Sequence, residues 1–138
     1  MKVGWKTKLG WAPIKVKEKM SSDVEYVSPD IPLTDIGKTM REKNLGYVLV
    51  NENGQLIGII TDHDIAYRAT ANDADSATVT ARAIMSKPVS YCFDDACLVD
   101  AVHIMQEKQI SHLPVFDRET RLVGMLTSDH LKRWIFET

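Results

Sequence analysis

Cysteine is scarce: Cys92 and Cys97 are the only two in 138 residues. A single pair five residues apart cannot assemble the four ligands of a structural zinc site, so both are expected to be reduced core residues. Long apolar runs are missing as well. Stretches such as 47–50 and 56–60 fall far short of the roughly 18 residues that span a bilayer. The start of the chain has no apolar segment of the signal-peptide kind, which makes the cytoplasm the expected location. There is no glycine-rich phosphate loop, nucleophile elbow or paired-cysteine metal motif, and His63 and His103 have no further ligand at metal spacing. Neither a metal nor catalysis is expected.

Charge of one sign is also limited. The net charge is −2, yet six lysines (Lys2, Lys6, Lys8, Lys15, Lys17, Lys19) face only Glu18 within the first nineteen residues, leaving 11 basic and 18 acidic side chains beyond. A net-acidic body argues against broad capture of nucleic acid, which needs clustered phosphate-neutralising side chains. Residues 1–13 read as a basic arm in which Trp5 and Trp11 either stack on bases or pack locally. At 44% hydrophobic and 26% charged residues, the composition is that of a folded globular protein.

What is present is a repeat. A shift of 65 residues pairs Met20 with Met85, Ser21 with Ser86, Val24 with Val89, Tyr26 with Tyr91, Asp30 with Asp95, Leu33 with Leu98, Asp35 with Asp100, Met40 with Met105, Glu42 with Glu107, Lys43 with Lys108 and Val50 with Val115. Those eleven identities fall within 31 positions, where ordinary usage gives about two. One added residue restores register downstream, pairing Leu56 with Leu122, Gly58 with Gly124 and Thr61 with Thr127. The extra residue falls in a turn.

Each copy reads β-α-β-β-α. A short strand spans about 24–27 and a helix about 32–43, followed by two strands around Asn53-Gly54 and then a second helix. Leu33, Ile36, Gly37 and Met40, and in the second copy Leu98, Ala101, Val102 and Met105, recur at helical spacing and give each first helix one apolar stripe. Pro32 suits a first helical turn, and Asp94 or Asp95 is placed to cap the equivalent helix. The expected fold class is α+β, with copies at 14–78 (including a linker over 69–77) and 79–138. One copy of about 60 residues would be marginal alone, so the two are expected to pack about a pseudo-two-fold and share a core.

The segment Gly58-Ile59-Ile60-Thr61-Asp62-His63-Asp64 places a hydroxyl and a carboxylate three residues apart at a helix start. One reading is a capping box, although that box normally uses Glu or Gln. The other uses the same geometry to bind: free amides and a hydroxyl for a phosphate, and a carboxylate that accepts from two vicinal ribose hydroxyls. The second copy has His130 where Asp64 stands in the first. Asp129, its neighbour, is turned about 100° around the helix and cannot substitute.

The repeat spacing, the paired Met-Ser at 20–21 and 85–86, Ser111-His112-Leu113-Pro114-Val115 and the glycine-led Thr-x-x-Asp together resemble a pair of CBS domains, a Bateman module, over about residues 14 to 135. The resemblance implies a regulatory module that senses an adenosine-containing ligand such as AMP, ADP, ATP or NAD between its repeats, with S-adenosylmethionine as an alternative. It implies a site of Thr61, Asp64 and His63 completed by Val89, Ser90, Ile110, Ser111 and His112. In that site Val89 and Ile110 flank adenine, Ser90 reads its edge and His112 lies toward phosphate. Arg68, one turn beyond Asp64, either steers phosphates or is simply solvated; Arg133 is its weaker analogue. A second, weaker site would combine Thr127 and His130 with Val24, Glu25, Leu45, Gly46 and Tyr47.

The second helices, with Ala66 and Tyr67 or Leu131, Trp134 and Ile135, offer apolar surface that suggests a homodimer. A regulated partner protein is expected but not identified by these residues. A ligand-free dimerisation module is the competing reading.

Overall fold

The computed structural model describes residues 14–69, 77–87 and 89–137, except for the side chains of 68, 69 and 133–137. The basic arm and most of the expected linker therefore lie outside the described residues, as do the side chains of Arg68, Arg133, Trp134 and Ile135. The chain divides into two compact units, one comprising Val24–Val89 and the other joining residues up to Asp23 with those from Ser90 onward.

In the Val24–Val89 unit the order is β1 (Tyr26–Val27), α1 (Leu33–Lys43), β2 (Tyr47–Glu52), β3 (Gln55–Thr61), α2 (Asp62–Asp64) and α3 (Ala81–Ile84). The sheet order is β1-β2-β3, with β1 parallel and β3 antiparallel to β2. Asn53 and Gly54 both take positive φ (54° and 80°), as a two-residue hairpin turn of the right twist requires. Leu33, Ile36 and Met40 of α1 are buried against Val27, Val48, Val50 and Ile60, whereas Gly37 is exposed and drops out of the expected stripe. The expected second helix is a single α turn, α2, continued as a π turn over Ile65–Ala69.

The other unit repeats the plan: a 3-10 turn (Val16–Glu18), β4 (Cys92–Phe93), α4 (Leu98–Lys108), β5 (His112–Phe116), β6 (Leu122–Thr127) and α5 (Ser128–Glu137). Its sheet order is β4-β5-β6, again parallel then antiparallel. All four residues of the expected α4 stripe, Leu98, Ala101, Val102 and Met105, are buried with Val16, Leu113, Val115 and Leu126. Among the described residues no helix is long and apolar enough to cross a membrane.

The compact units are cut differently from the sequence copies. Residues 79–86, which open the second copy, complete the first unit, and residues 14–21 complete the other. Ala81, Ile84 and Met85 enter the first core; Val16 enters the second. Each lead-in also supplies backbone partners: the Val79 carbonyl accepts the Leu33 amide at 2.8 Å, and the Ile14 carbonyl accepts the Leu98 amide at 2.7 Å. The first orphan donor of each helix is thus met by a distant main chain rather than by a side chain. Asp94 and Asp95 do not cap α4. Cys97 occupies the cap position with no side-chain bond, and Asp95 instead accepts Arg118 Nε at 3.0 and 2.9 Å. That guanidinium holds the exposed Asp95 carboxyl below its ordinary range.

Both lead-ins cross β3 or β6 beside a glycine. Ser86 and Ile59 exchange backbone bonds at 2.8 and 3.2 Å, and Ser21 and Met125 do so at 2.9 and 2.8 Å. A Cβ on Gly58 would lie 2.5 Å from Met85 Sδ; on Gly124 it would lie 2.6 Å from Met20 Sδ and 2.7 Å from the Ser21 carbonyl oxygen. A thioether end can swing aside, but a carbonyl held in a bridge cannot. Gly124→Ala should therefore lower stability by about 2 kcal/mol and Gly58→Ala by about half that, measured by urea unfolding. Equal losses would show that the carbonyl contact does not decide the cost.

Both cysteines are free; Cys92 is buried, while Cys97 is only half-buried and so less enclosed than expected. Burial, with a smaller contribution from the Asp94 charge, pushes the Cys92 thiol up to about 12. A raised folded-state value favours the protonated native form. Its stabilisation is complete below the ordinary value of 9.0 and is lost as pH climbs toward 12. Iodoacetamide at neutral pH should label Cys97 in the native protein and Cys92 only after unfolding, and stability should fall less steeply above pH 9.0 in Cys92→Ala.

Candidate functional site

Thr61 ends β3 in an extended conformation and caps α2. Its hydroxyl accepts the Asp64 amide at 3.3 Å, and Asp64 Oδ2 reaches back to the Thr61 amide at 2.9 Å and the Thr61 hydroxyl at 3.2 Å. The capping box is therefore formed, with Asp in the place usually held by Glu or Gln. Asp64 is 6% exposed, and among the described residues it is the buried side chain that carries formal charge. Burying a carboxylate is costly unless donors surround it.

The donor that the motif does not reveal is Ser86. Its hydroxyl donates to Asp64 Oδ1 at 2.8 Å across 22 positions of sequence. The signal was present in the duplicated Met-Ser, but nothing in local spacing tied it to the Thr-x-x-Asp. With Thr61 on Oδ2 and Ser86 on Oδ1, both carboxylate oxygens are held.

Other expected residues lie in the same unit. Tyr47 is buried opposite Thr61 in the β2–β3 register, and the Gly46 carbonyl accepts the Asp62 amide at 3.2 Å. Val24 and Glu25 are half-buried, with the Glu25 carbonyl accepting the Leu49 amide at 2.9 Å and its carboxylate 3.6 Å from Lys43 Nζ. His63 is exposed, its ring 4.4 Å from that of Tyr67. Val89 is half-buried at the end of the unit.

The other unit holds the remaining set. His112 opposes Thr127 in register and its Nδ1 lies 3.2 Å from the Ser111 hydroxyl, while the Ser111 carbonyl accepts the Ser128 amide at 2.9 Å. Ser90 is half-buried. Ile110 lines an apolar pocket of about 220 Å³ with Val102, Met105, Gln106, Ser128, Leu131 and Lys132. The Thr127 hydroxyl accepts the His130 amide at 3.3 Å, preserving the cap, but His130 is exposed where the reciprocal carboxylate would stand. The matching lead-in serine, Ser21, accepts the Asp23 amide at 3.2 Å.

This pattern of two like units agrees with comparisons to known proteins. The chain is 36% identical over 115 residues to MK0525 of Methanopyrus kandleri, covering 83% of this chain and 59% of that protein. It is 37% identical over 112 residues to a probable arabinose 5-phosphate isomerase of Haemophilus influenzae, covering 81% of this chain but only 33% of the isomerase. The CBS domain-containing protein YhcV of Bacillus subtilis is 35% identical over 111 residues, with 80% of this chain and 78% of YhcV covered. Among solved structures, the CBS domain pair of protein MJ0100 in complex with 5′-methylthioadenosine and S-adenosyl-L-methionine superposes with a TM-score of 0.81 at 28% identity, covering 91% of this chain and 98% of that one. TA0289 of Thermoplasma acidophilum gives 0.83 at 25% identity over 89% and 70%. The model of the CBS domain matches residues 16–70 and again 81–137, so the chain belongs to the CBS domain family and carries the domain twice.

Proposed function

We propose that the chain is a regulatory module that binds an adenosine-containing ligand and transforms nothing. The observation that carries this reading is the buried Asp64 carboxylate, fixed by Thr61 and Ser86. A carboxylate held on both oxygens reads a vicinal diol without first being ordered, and ordering is a main cost of binding. In this reading Thr61 and Asp64 take the ribose, with His63 and Arg68 at the margin. Val89, Ser90, Ile110, Ser111 and His112 serve adenine and phosphate.

The ligand class is AMP, ADP, ATP, NAD or S-adenosylmethionine. The MJ0100 pair, solved with S-adenosylmethionine and methylthioadenosine, supports the adenosine portion they share. The set of Thr127, His130, Val24, Glu25, Gly46 and Tyr47 is the weaker one in this reading. Its helix start keeps the hydroxyl and loses the charge, which forfeits on the order of 1.5 to 3 kcal/mol, or roughly ten- to a hundredfold in affinity. The module is a homodimer in this reading, by way of the apolar residues of its second helices. The protein regulated is a partner in the cytoplasm.

Thermal melts and calorimetric titrations with AMP, ATP, NAD, S-adenosylmethionine and methylthioadenosine test this. A ligand at a hundred times its Kd should stabilise the fold by about 2.7 kcal/mol. Asp64→Asn should weaken the best ligand about ten- to a hundredfold, whereas His130→Ala should change it about twofold at most. No stabilisation by any of the five would leave a ligand-free dimerisation module, and sustained turnover would make the chain an enzyme.

A further inference from the structure

Ser86 belongs to neither the capping box nor the set of residues expected to touch a ligand, yet its hydroxyl lies 2.8 Å from Asp64 Oδ1. Its backbone is anchored: it exchanges two bonds with Ile59, and the preceding Met85 is buried against Gly58. A serine fixed at its Cα has only one torsion left to aim its hydroxyl, so the bond constrains the carboxylate rather than following it. The duplicated sequence supplies an internal control. Ser21 is anchored to Met125 in the same way, but the helix start of its unit carries His130 in place of a carboxylate, and the Ser21 hydroxyl turns to the Asp23 amide. The same Met-Ser element therefore points at a carboxylate only in the unit that has one.

We propose that Ser86 is a positioning residue that holds the Asp64 carboxylate in the orientation that accepts from the ribose diol through its remaining lone-pair site; this rests on the reading of Asp64 as the diol acceptor. Thr61 holds one oxygen, Oδ2, through its amide and its hydroxyl. Ser86 fixes the other oxygen from a segment distant in sequence, so diol recognition depends on the seating of residues 79–86. The loss on removing it is specific: a ligand with a diol suffers, and one without does not.

Adenosine and 2′,3′-dideoxyadenosine, which lacks the vicinal hydroxyls but keeps the 5′-hydroxyl, are the probes. Their Kd values are measured by calorimetry on wild type, Ser86→Ala and Ser86→Thr. Wild type should prefer adenosine by about tenfold or more, Ser86→Ala should reduce that preference to about threefold or less, and Ser86→Thr, which keeps the hydroxyl, should restore it. General loosening of the fold would weaken both probes alike and leave the ratio intact. An unchanged ratio in Ser86→Ala therefore overturns the role of Ser86 while the reading of Asp64 stands. A wild type that binds neither probe, or does not distinguish them, overturns the reading of Asp64 and this proposal with it.

Discussion

The passage of a Met-Ser lead-in directly over a glycine of the last strand is the contact on which the other features rest. No side chain fits at Gly58 or Gly124 without displacing what crosses there. Because the crossing is close, Ser86 can pair with Ile59 and Ser21 with Met125. That pairing in turn sets the preceding residues against the sheet's helix, where Val79 and Ile14 receive the first amides of α1 and α4. Ala81, Ile84, Met85 and Val16 then fill each core from outside the β-α-β-β run. The first strand of each sheet is only two residues long, so a sheet with one helix is a small core and the added segment enlarges it.

From this common frame the two units diverge in chemistry without diverging in structure. Both keep a threonine hydroxyl that accepts the amide three residues on, at 3.3 Å in each case. Only one keeps the acidic side chain that returns the bond. The cap of Thr61 and Asp64 is the means by which the carboxylate is placed. The histidine at position 130 leaves the helix start intact because the cap needs only the hydroxyl, and this explains how the duplicated helix start lacks the charge while its fold persists.

Features governed by local rules were legible in the sequence. Helical spacing located both first helices within a residue, and Asn-Gly located the tight hairpin. The register slip of one residue located the longer β5–β6 loop, where Thr120 takes φ of 61°. Features decided by distant chain were not legible. The duplicated lead-ins look interchangeable, so sequence order assigns each to the copy it precedes, and only the tertiary path reveals the exchange. The aspartates at 94 and 95 look like caps because Asp favours such positions, yet the Ile14 carbonyl takes the amide and Arg118 takes Asp95. Ser86 was hidden for the same reason: its partner is far away in sequence and the motif that contains it suggests no charge.

The choice of Asp over Glu at position 64 follows from these distances. A capping box tolerates the longer acid because its carboxylate need only reach back to the amide of the capping residue. Here the same group must also meet Ser86, whose backbone is pinned to Ile59 and cannot retreat. With one methylene fewer, the carboxylate stays near the helix start, so Oδ2 meets Thr61 and Oδ1 meets Ser86 at once. It is also stiffer, with one torsion fewer to fix, so less conformational freedom is lost in holding it. The penalty for burying its charge is offset by donors that include the Thr61 amide, the Thr61 hydroxyl and the Ser86 hydroxyl. A ligand hydroxyl would then add to a group already desolvated and oriented, and this is the condition under which a small contact contributes most of its intrinsic strength.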